Sequence, residues 1–162
     1  MKCSLFIITL CIFIVSSCQS IRENVDSLIE QEYNIREAVI RHEFQKFSSD
    51  ERFEIYFLAV AYHIKGDNPD PDDKFIKRFK NNKPQVKKYS ACNASIGGVI
   101  DKETGKKGII FYATDIKWLN DEGVEVTGGY YFDGKGEKVS IYYVILKDGH
   151  WIVIGEKNIS MS

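Results

Sequence analysis

The chain has 162 residues, of which 44% are hydrophobic and 28% are charged. This composition is typical of a globular protein and excludes an intrinsically disordered one. The formal net charge is only -1, whereas nucleic-acid binding calls for a clustered excess of Lys and Arg, so we expect no nucleic-acid partner.

The N-terminal segment has the features of an export signal. Lys2 precedes an apolar run from Leu5 to Val15, which is too short for a membrane span because a spanning helix takes about 20 apolar residues. The run ends in VSSC at residues 15–18, which resembles the bacterial lipobox, where the Cys after the cleavage site is lipidated. We therefore predict a lipoprotein signal peptide over residues 1–17 and acylation of Cys18. The alternatives are an ordinary signal peptide with a chance Cys, or an uncleaved anchor.

Cysteine usage agrees with export without disulfides. Cys3 and Cys11 would leave with the signal peptide and Cys18 would carry lipid, so that Cys92 is the one Cys remaining in the mature chain. An internal disulfide is then impossible. A single Cys near a strand end is more typical of a small buried hydrophobe than of a reactive thiol.

Residues 18–24 form a polar tether, and residues 25–162 form a single predicted domain. Between Val25 and Phe47 apolar residues recur with a helical period, and neither Gly nor Pro intervenes. This pattern predicts a long amphipathic helix. Its apolar face consists of Leu28, Tyr33, Ile35, Ala38, Val39, Ile40, Phe44 and Phe47.

Two strands and a short helix are predicted next. Residues 53–61, FEIYFLAVA, contain too few polar positions for a solvent-facing strand and indicate one that is covered on both faces. Residues 86–94 form another strand. Between them, Asp70 is the predicted N-cap of a helix that carries Phe75 and Phe79. The acidic loop before this helix could alternatively bind calcium, but it lacks the spacing and the closing Glu of a calcium loop.

Residues 108–155 contain four strand-length apolar segments, each closed by Gly, Asp or Asn. Strands joined so closely pair antiparallel, because parallel neighbours need a long crossover. Gly128 and Gly129 would permit a bulge or bend. The prediction is an α+β fold in which the long N-terminal helix packs on a curved antiparallel sheet of five or six strands that includes this four-stranded meander. This outline resembles cystatin-like and nuclear-transport-factor-type cones, a resemblance of fold that carries no function.

No group of residues has the spacing of a known catalytic or metal site. The histidines lack metal-ligand spacing, and neither a nucleophile elbow nor a phosphate-binding loop is present in the sequence. We therefore expect neither a metal nor a cofactor and favour a non-enzymatic protein. His42 is predicted to be half-buried on the helix, while His63 and His150 are predicted to be exposed. Trp118 and Trp151 are each predicted to anchor a strand of the meander.

The segment DKETGKKGIIFYATDIKWLNDEGVEVTGGYY, from Asp101 to Tyr131, carries a recognisable pattern together with the later KDGHWIV. The pattern GIIF…IKW…VEV.GGYY resembles that of a widespread family of small uncharacterised bacterial proteins, many of them secreted or lipid-anchored. The resemblance covers most of the mature chain and implies a shared fold and a bacterial source. It implies no activity, and sheet geometry accounts for the aromatic and glycine residues of the pattern.

The leading functional hypothesis is a lipid-anchored binding or interaction domain in the bacterial cell envelope, with the membrane and a protein or small molecule as partners. The alternative is a small-molecule cup or an enzyme that uses the concave face of the sheet. For that alternative, the candidate ligand-binding residues are His42, Asp115 and Tyr130. A pocket with converging polar groups would favour the cup, whereas a filled sheet interior and an exposed apolar patch would favour the interaction domain.

Overall fold

The computed structural model describes residues 4–60 and 70–161, with the backbone alone for residues 4–23 and 161. The predicted acylation of the Cys18 side chain and the predicted exposure of His63 therefore fall outside the described residues. The chain forms two compact units, Met1–Tyr33 and Asn34–Ser162. None of the described helices carries an apolar stretch long enough for a membrane span.

Two helices and eight strands make up the described structure. The helices are α1 (Ser4–Phe47) and α2 (Asp73–Lys77), and the strands are β1 (Ile55–Ala59), β2 (Gln85–Lys88), β3 (Cys92–Ser95), β4 (Gly98–Asp101), β5 (Lys107–Asn120), β6 (Gly123–Asp133), β7 (Gly136–Lys147) and β8 (His150–Met161). A short 3-10 turn, Tyr89–Ala91, separates β2 from β3. The predicted strand over residues 86–94 is therefore two strands with a turn between them.

The first unit is helical from Ser4 onwards, so α1 begins well before the predicted start at Val25. Leu28 was predicted on the packed face but is 59% exposed, and the buried stripe of the second unit begins with Ile35. Helical periodicity identifies which residues share a face. It does not say how far along the helix another element covers that face, which is why the prediction for Leu28 was wrong.

The predicted α+β fold is confirmed, with the second-unit part of α1 packed on a mostly antiparallel sheet. The strand order is β2-β1-β5-β6-β7-β8, and β5 to β8 form the predicted antiparallel meander. However, β1 runs parallel to both β2 and β5, which the sequence analysis did not predict. The long connections from β1 to both partners provide the crossovers that parallel pairing requires. The hairpin of β3 and β4 extends the sheet beside the start of β5.

Strand β1 is buried on both faces, as predicted. On the α1 side, the Phe44 ring lies 4.7 Å from the Tyr56 ring and 4.8 Å from the Phe111 ring. On the opposite side, Phe57 belongs to an apolar cluster that includes Cys92. Burial raises the pKa of the Cys92 thiol to about 11, which agrees with the interpretation of Cys92 as a buried hydrophobe.

The N-cap of α2 is Asp72, so the prediction of Asp70 as the cap was wrong. The Asp72 carboxylate accepts a hydrogen bond from the Phe75 backbone N–H at 2.8 Å. The Asp70 carboxylate instead accepts one from the Ser90 backbone N–H at 2.7 Å. Either Asp suits a cap chemically. The helix register that buries Phe75 decides between them, and composition alone does not reveal that register.

The bulge predicted at Gly128 and Gly129 lies on the neighbouring strand instead. The β5–β6 pairing shifts register between Ala113 and Ile116 of β5, while β6 pairs regularly with β7 at both glycines. The glycines serve a close approach of backbones, because a Cβ on Gly129 would lie 1.8 Å from the Lys138 carbonyl oxygen. Arg36 of α1 donates to the carbonyl oxygens of Ala113 and Thr114 at the bulge.

The two tryptophans differ in burial. Trp151 is 8% exposed, as expected for a structural anchor, but Trp118 is 42% exposed. Their rings meet edge to face with centroids 5.8 Å apart. The prediction was thus wrong for Trp118, which lies close to the turn of the long β5–β6 hairpin. The alternation of side chains along a strand predicts the face on which each side chain lies. It does not predict the residue beyond which no other element packs on that face.

Trp151→Ala should therefore destabilise the domain far more than Trp118→Ala. Truncation of a buried aromatic removes about 3–5 kcal/mol, whereas a half-exposed ring has less buried area to lose. Urea unfolding of both variants beside the wild type measures the difference in the free energy of unfolding. Equal losses would contradict the assignment of Trp118 to the surface.

Candidate functional site

Six polar side chains meet between α1 and the strands β7 and β8, and we call them the charged cluster. They are His42, Glu43, Lys46, Lys138, Tyr142 and Glu156. The α1 members are three or four residues apart or adjacent, so they share one side of the helix. Alternation along β7 buries Lys138 and Tyr142 on the same face of the sheet. Tyr142 is directly paired with Glu156 of β8.

Glu43 is the buried centre of the charged cluster, with 1% of its surface exposed. Its Oε1 atom accepts hydrogen bonds from the Tyr142 hydroxyl and the Lys46 ammonium, both at 2.6 Å, and a longer one from Lys138 Nζ at 3.3 Å. Its Oε2 atom is buried and has no hydrogen-bond partner within the described residues. Charge-assisted donors thus converge on one oxygen of this carboxylate and leave the other unsatisfied.

Glu156 is the second carboxylate of the charged cluster and is closer to solvent. Its Oε1 atom accepts from Lys138 Nζ at 2.8 Å and its Oε2 atom from Lys46 Nζ at 2.5 Å. Partial burial raises the pKa of Glu156, but the hydrogen bonds from Lys138 and Lys46 lower it more, so the pKa falls to about 2. Both lysines therefore bridge the two carboxylates, and the four charges cancel.

Tyr142 is fully buried and lies at the floor of the charged cluster. Burial raises its pKa, and the negative charge of Glu43 and the hydrogen bond to it raise the pKa further. The hydroxyl therefore keeps its proton and remains a donor to Glu43. A Cβ on Gly128 would lie 3.3 Å from Cε2 of the Tyr142 ring, so the glycine leaves room for this ring.

His42 completes the charged cluster at its exposed rim. Its Nε2 atom lies 3.3 Å from Glu156 Oε2, and its ring meets Tyr142 edge to face at 6.0 Å. Ligand atoms of His42, Glu43 and Glu156 lie within 4.8 Å of one another, and imidazole with two carboxylates is a possible zinc set. However, Lys46 and Lys138 already occupy these carboxylates, so a metal would have to displace an ammonium group.

Two of the three predicted ligand-binding residues lie at or beside the charged cluster. His42 is half-buried, as predicted. Tyr130 is paired across the strands with Lys138, but its ring packs against Phe47 with centroids 4.7 Å apart. Asp115 lies elsewhere, exposed in the β5 bulge. The structure thus does not bring the three residues together around one pocket.

Five members of the charged cluster were not singled out from the sequence, namely Glu43, Lys46, Lys138, Tyr142 and Glu156. In β7, Lys138, Ser140 and Tyr142 alternate with apolar residues, and this polar face of a central strand was a detectable signal. Glu43 has no comparable signal in the sequence, because acidic and basic residues occur throughout that part of α1. His150, in contrast, is exposed in the β7–β8 hairpin, as predicted.

A shallow groove of about 280 Å³ lies at the other end of the sheet, near the β6–β7 turn. The Arg52 guanidinium lies over the rings of Phe53 and Phe132 at 5.1 and 5.4 Å, and it also forms an ion pair with Asp50. Lys107 stands at the rim. The groove therefore offers an apolar floor, with Arg52, Lys107 and Asp133 as its charged lining residues.

Comparison with family models, with curated proteins and with solved structures finds no match for this chain. The resemblance to small bacterial envelope proteins, drawn from the GIIF…IKW…VEV.GGYY pattern, therefore stays a prediction.

Lys138→Met should be strongly destabilising, because it leaves Glu43 with one cation fewer in a buried site. Removing one partner of a buried ion pair costs about 3–5 kcal/mol. Lys117→Met is the matched control, since the Lys117 side chain is 73% exposed in its pair with Glu125, and exposed pairs contribute about 0–1 kcal/mol. Urea unfolding measures both. Similar small losses for the two variants would show that the charged cluster does not stabilise the fold.

The pKa of Glu156 also predicts a pH dependence. Because its folded pKa of about 2 lies below the ordinary value of 4.5, its ion pairs stabilise the fold above about pH 4.5 and lose this effect as the pH falls towards 2. The difference in unfolding free energy between the wild type and Glu156→Gln should thus be constant near neutral pH and shrink in acid. A difference that does not change with pH would contradict the assignment.

Proposed function

We propose that this protein is a bacterial envelope lipoprotein, held on a membrane by lipid on Cys18, and that its folded domain acts as a non-enzymatic binding domain. One observation carries the binding part of the proposal. The face of the sheet that could have formed a cup is filled by the protein's own side chains, with the Phe47 ring 5.5 Å from Phe111 and 4.7 Å from Tyr130.

The apolar surface that remains lies outside this filled face. Trp118 and Leu119 are adjacent in sequence and 42% and 52% exposed. We take these two residues as the contact surface, because exposed apolar surface marks sites of interaction with another surface. A filled interior together with exposed apolar side chains is the combination that favours an interaction domain over a small-molecule cup.

The charged cluster fits a structural role in such a domain. Its two lysines each bridge both carboxylates, so α1, β7 and β8 are fixed to one another by the same charges. A general acid or base must reach a substrate, but Glu43, Lys138 and Tyr142 are all buried. These groups therefore serve the fold, and recognition falls to the surface.

The membrane part of the proposal is supported by the N-terminal sequence. The short apolar run, the small residues after it and Cys18 occur in the order that a lipobox requires. Multiple acyl chains anchor stably, because each buried CH₂ contributes about 0.8 kcal/mol.

A second function, binding of a small ligand, is favoured by the groove at Arg52. Its apolar floor and the Lys107 rim suit a flat ligand with a negative group. The groove is about 280 Å³ in volume, which is slightly smaller than the roughly 300–1,000 Å³ of small-molecule sites. We therefore rank this function second.

Metabolic labelling with a fatty-acid analogue tests the anchor. The wild type should incorporate the label and float with membranes, whereas Cys18→Ala should do neither, because the acyl acceptor is lost. Cys92→Ala is the matched control and should be labelled like the wild type, since Cys92 is buried. Equal labelling of the wild type and Cys18→Ala would refute the lipoprotein assignment.

A further inference from the structure

The β5–β6 turn carries an unusual pair of side chains at its base. Trp118 and Leu119 precede the turn at Asp121 and Glu122, and both are exposed. Burial of a Trp ring is strongly favourable, because the ring has a large apolar area. We call the segment from Trp118 to Glu122 the hairpin tip.

The hairpin tip lies at the end of the domain where the chain arrives from its N-terminus. Asn34, the first residue of the second unit, lines a surface groove together with His150 and Trp151. The Trp151 ring contacts the Trp118 ring at 5.8 Å. The β7–β8 turn lies at this same end, since Leu146 N donates to the Glu122 carbonyl oxygen at 2.8 Å.

We propose that the hairpin tip rests on the membrane surface, with Trp118 and Leu119 in the lipid interface. This inference rests on the proposed lipid anchor at Cys18. Between Cys18 and Asn34 the chain advances 34 − 18 = 16 residues, which is about 24 Å as a helix. Residues 18–34 therefore limit the distance between the bilayer and the Asn34 end of the domain to about 24 Å, and the hairpin tip lies at that end.

The chemistry of the hairpin tip fits a lipid interface. Trp is enriched at the boundary between hydrocarbon and water, because its ring is apolar and its indole N–H can still donate a hydrogen bond. Leu119 beside it adds apolar area. The interaction is apolar and not electrostatic, because the turn carries two acidic residues and Lys117 is already paired with Glu125 at 3.0 Å.

Charge also predicts which lipids favour the contact. Asp121 and Glu122 in the turn would be repelled by an anionic surface. The contact should therefore be stronger on zwitterionic phosphatidylcholine vesicles than on vesicles rich in phosphatidylglycerol. A basic membrane-binding patch would show the opposite preference.

The chain contains two Trp, which makes the contact measurable by fluorescence. Trp151→Phe leaves Trp118 as the probe, and Trp118→Phe leaves the buried Trp151. Each full-length acylated variant is reconstituted into phosphatidylcholine vesicles that contain brominated lipid. Bromine quenches at short range, so we expect Trp118 emission to be quenched at least twofold. Trp151 is buried behind Trp118 with its ring 5.8 Å away, so its emission should be quenched less.

Several results would overturn the proposal. Equal, weak quenching of both probes in vesicles that carry the protein excludes the lipid contact. Shielding of Trp118 from acrylamide that increases with protein concentration at a fixed ratio of detergent to protein assigns the hairpin tip to a contact with a second copy. If Trp151→Phe does not fold, comparing the wild type with Trp118→Phe isolates the same Trp118 signal.

Flotation of the same vesicles separates this proposal from the one on which it rests. If the wild type floats and Cys18→Ala does not, but Trp118 is not quenched, the lipid anchor is supported and the contact of the hairpin tip with lipid is overturned. Wild-type protein that does not float overturns both.

Leu119→Asp should still float through its lipid while Trp118 quenching is lost. Ile96→Asp, a change at another exposed apolar residue, should leave the quenching unchanged.

Discussion

The burial of the Glu43 carboxylate between α1 and the sheet is the constraint on which the rest of the domain depends. An ionised carboxylate cannot leave water without compensation, so the fold must bring donors to it. Those donors come from Tyr142 and Lys138 of β7 and from Lys46 of α1 itself. A shift of the helix by one residue would carry Lys46 along with Glu43 but would remove Glu43 from Tyr142 and Lys138, so these two donors of β7 specify the register of the helix on the sheet.

Local signals were sufficient for part of the fold. The Asp and Gly residues of the β7–β8 turn have the positive φ angles that a tight hairpin requires, at Asp148 and Gly149, and such turns made the meander predictable. The parallel pairing of β1 with β5 was not predictable in this way. It joins segments far apart in sequence, and a fully apolar strand such as β1 does not indicate which neighbour it will pair with or in which direction.

In the candidate site, too, local sequence patterns predict some residues, whereas others depend on partners far away in the chain. The alternating polar residues of β7 indicate a polar site on a buried face of the sheet. His42, at the edge of that site, was correctly predicted to be half-buried. Glu43 could not be distinguished from the exposed acidic residues of α1, because its burial is created by Lys138 and Tyr142 from nearly a hundred positions later in the chain. Residues that depend on such distant partners become visible only when the sheet is in place.

The filled face and the exposed Trp118 have a common origin. The second-unit part of α1 begins at Asn34, which lines a groove with Trp151, and Trp118 is the next ring beyond Trp151. The part of the sheet that α1 covers therefore ends near Asn34, and Trp118 lies beyond it. Because the charged cluster fixes α1 to β7 and β8, the position of Asn34 relative to the hairpin tip is also fixed.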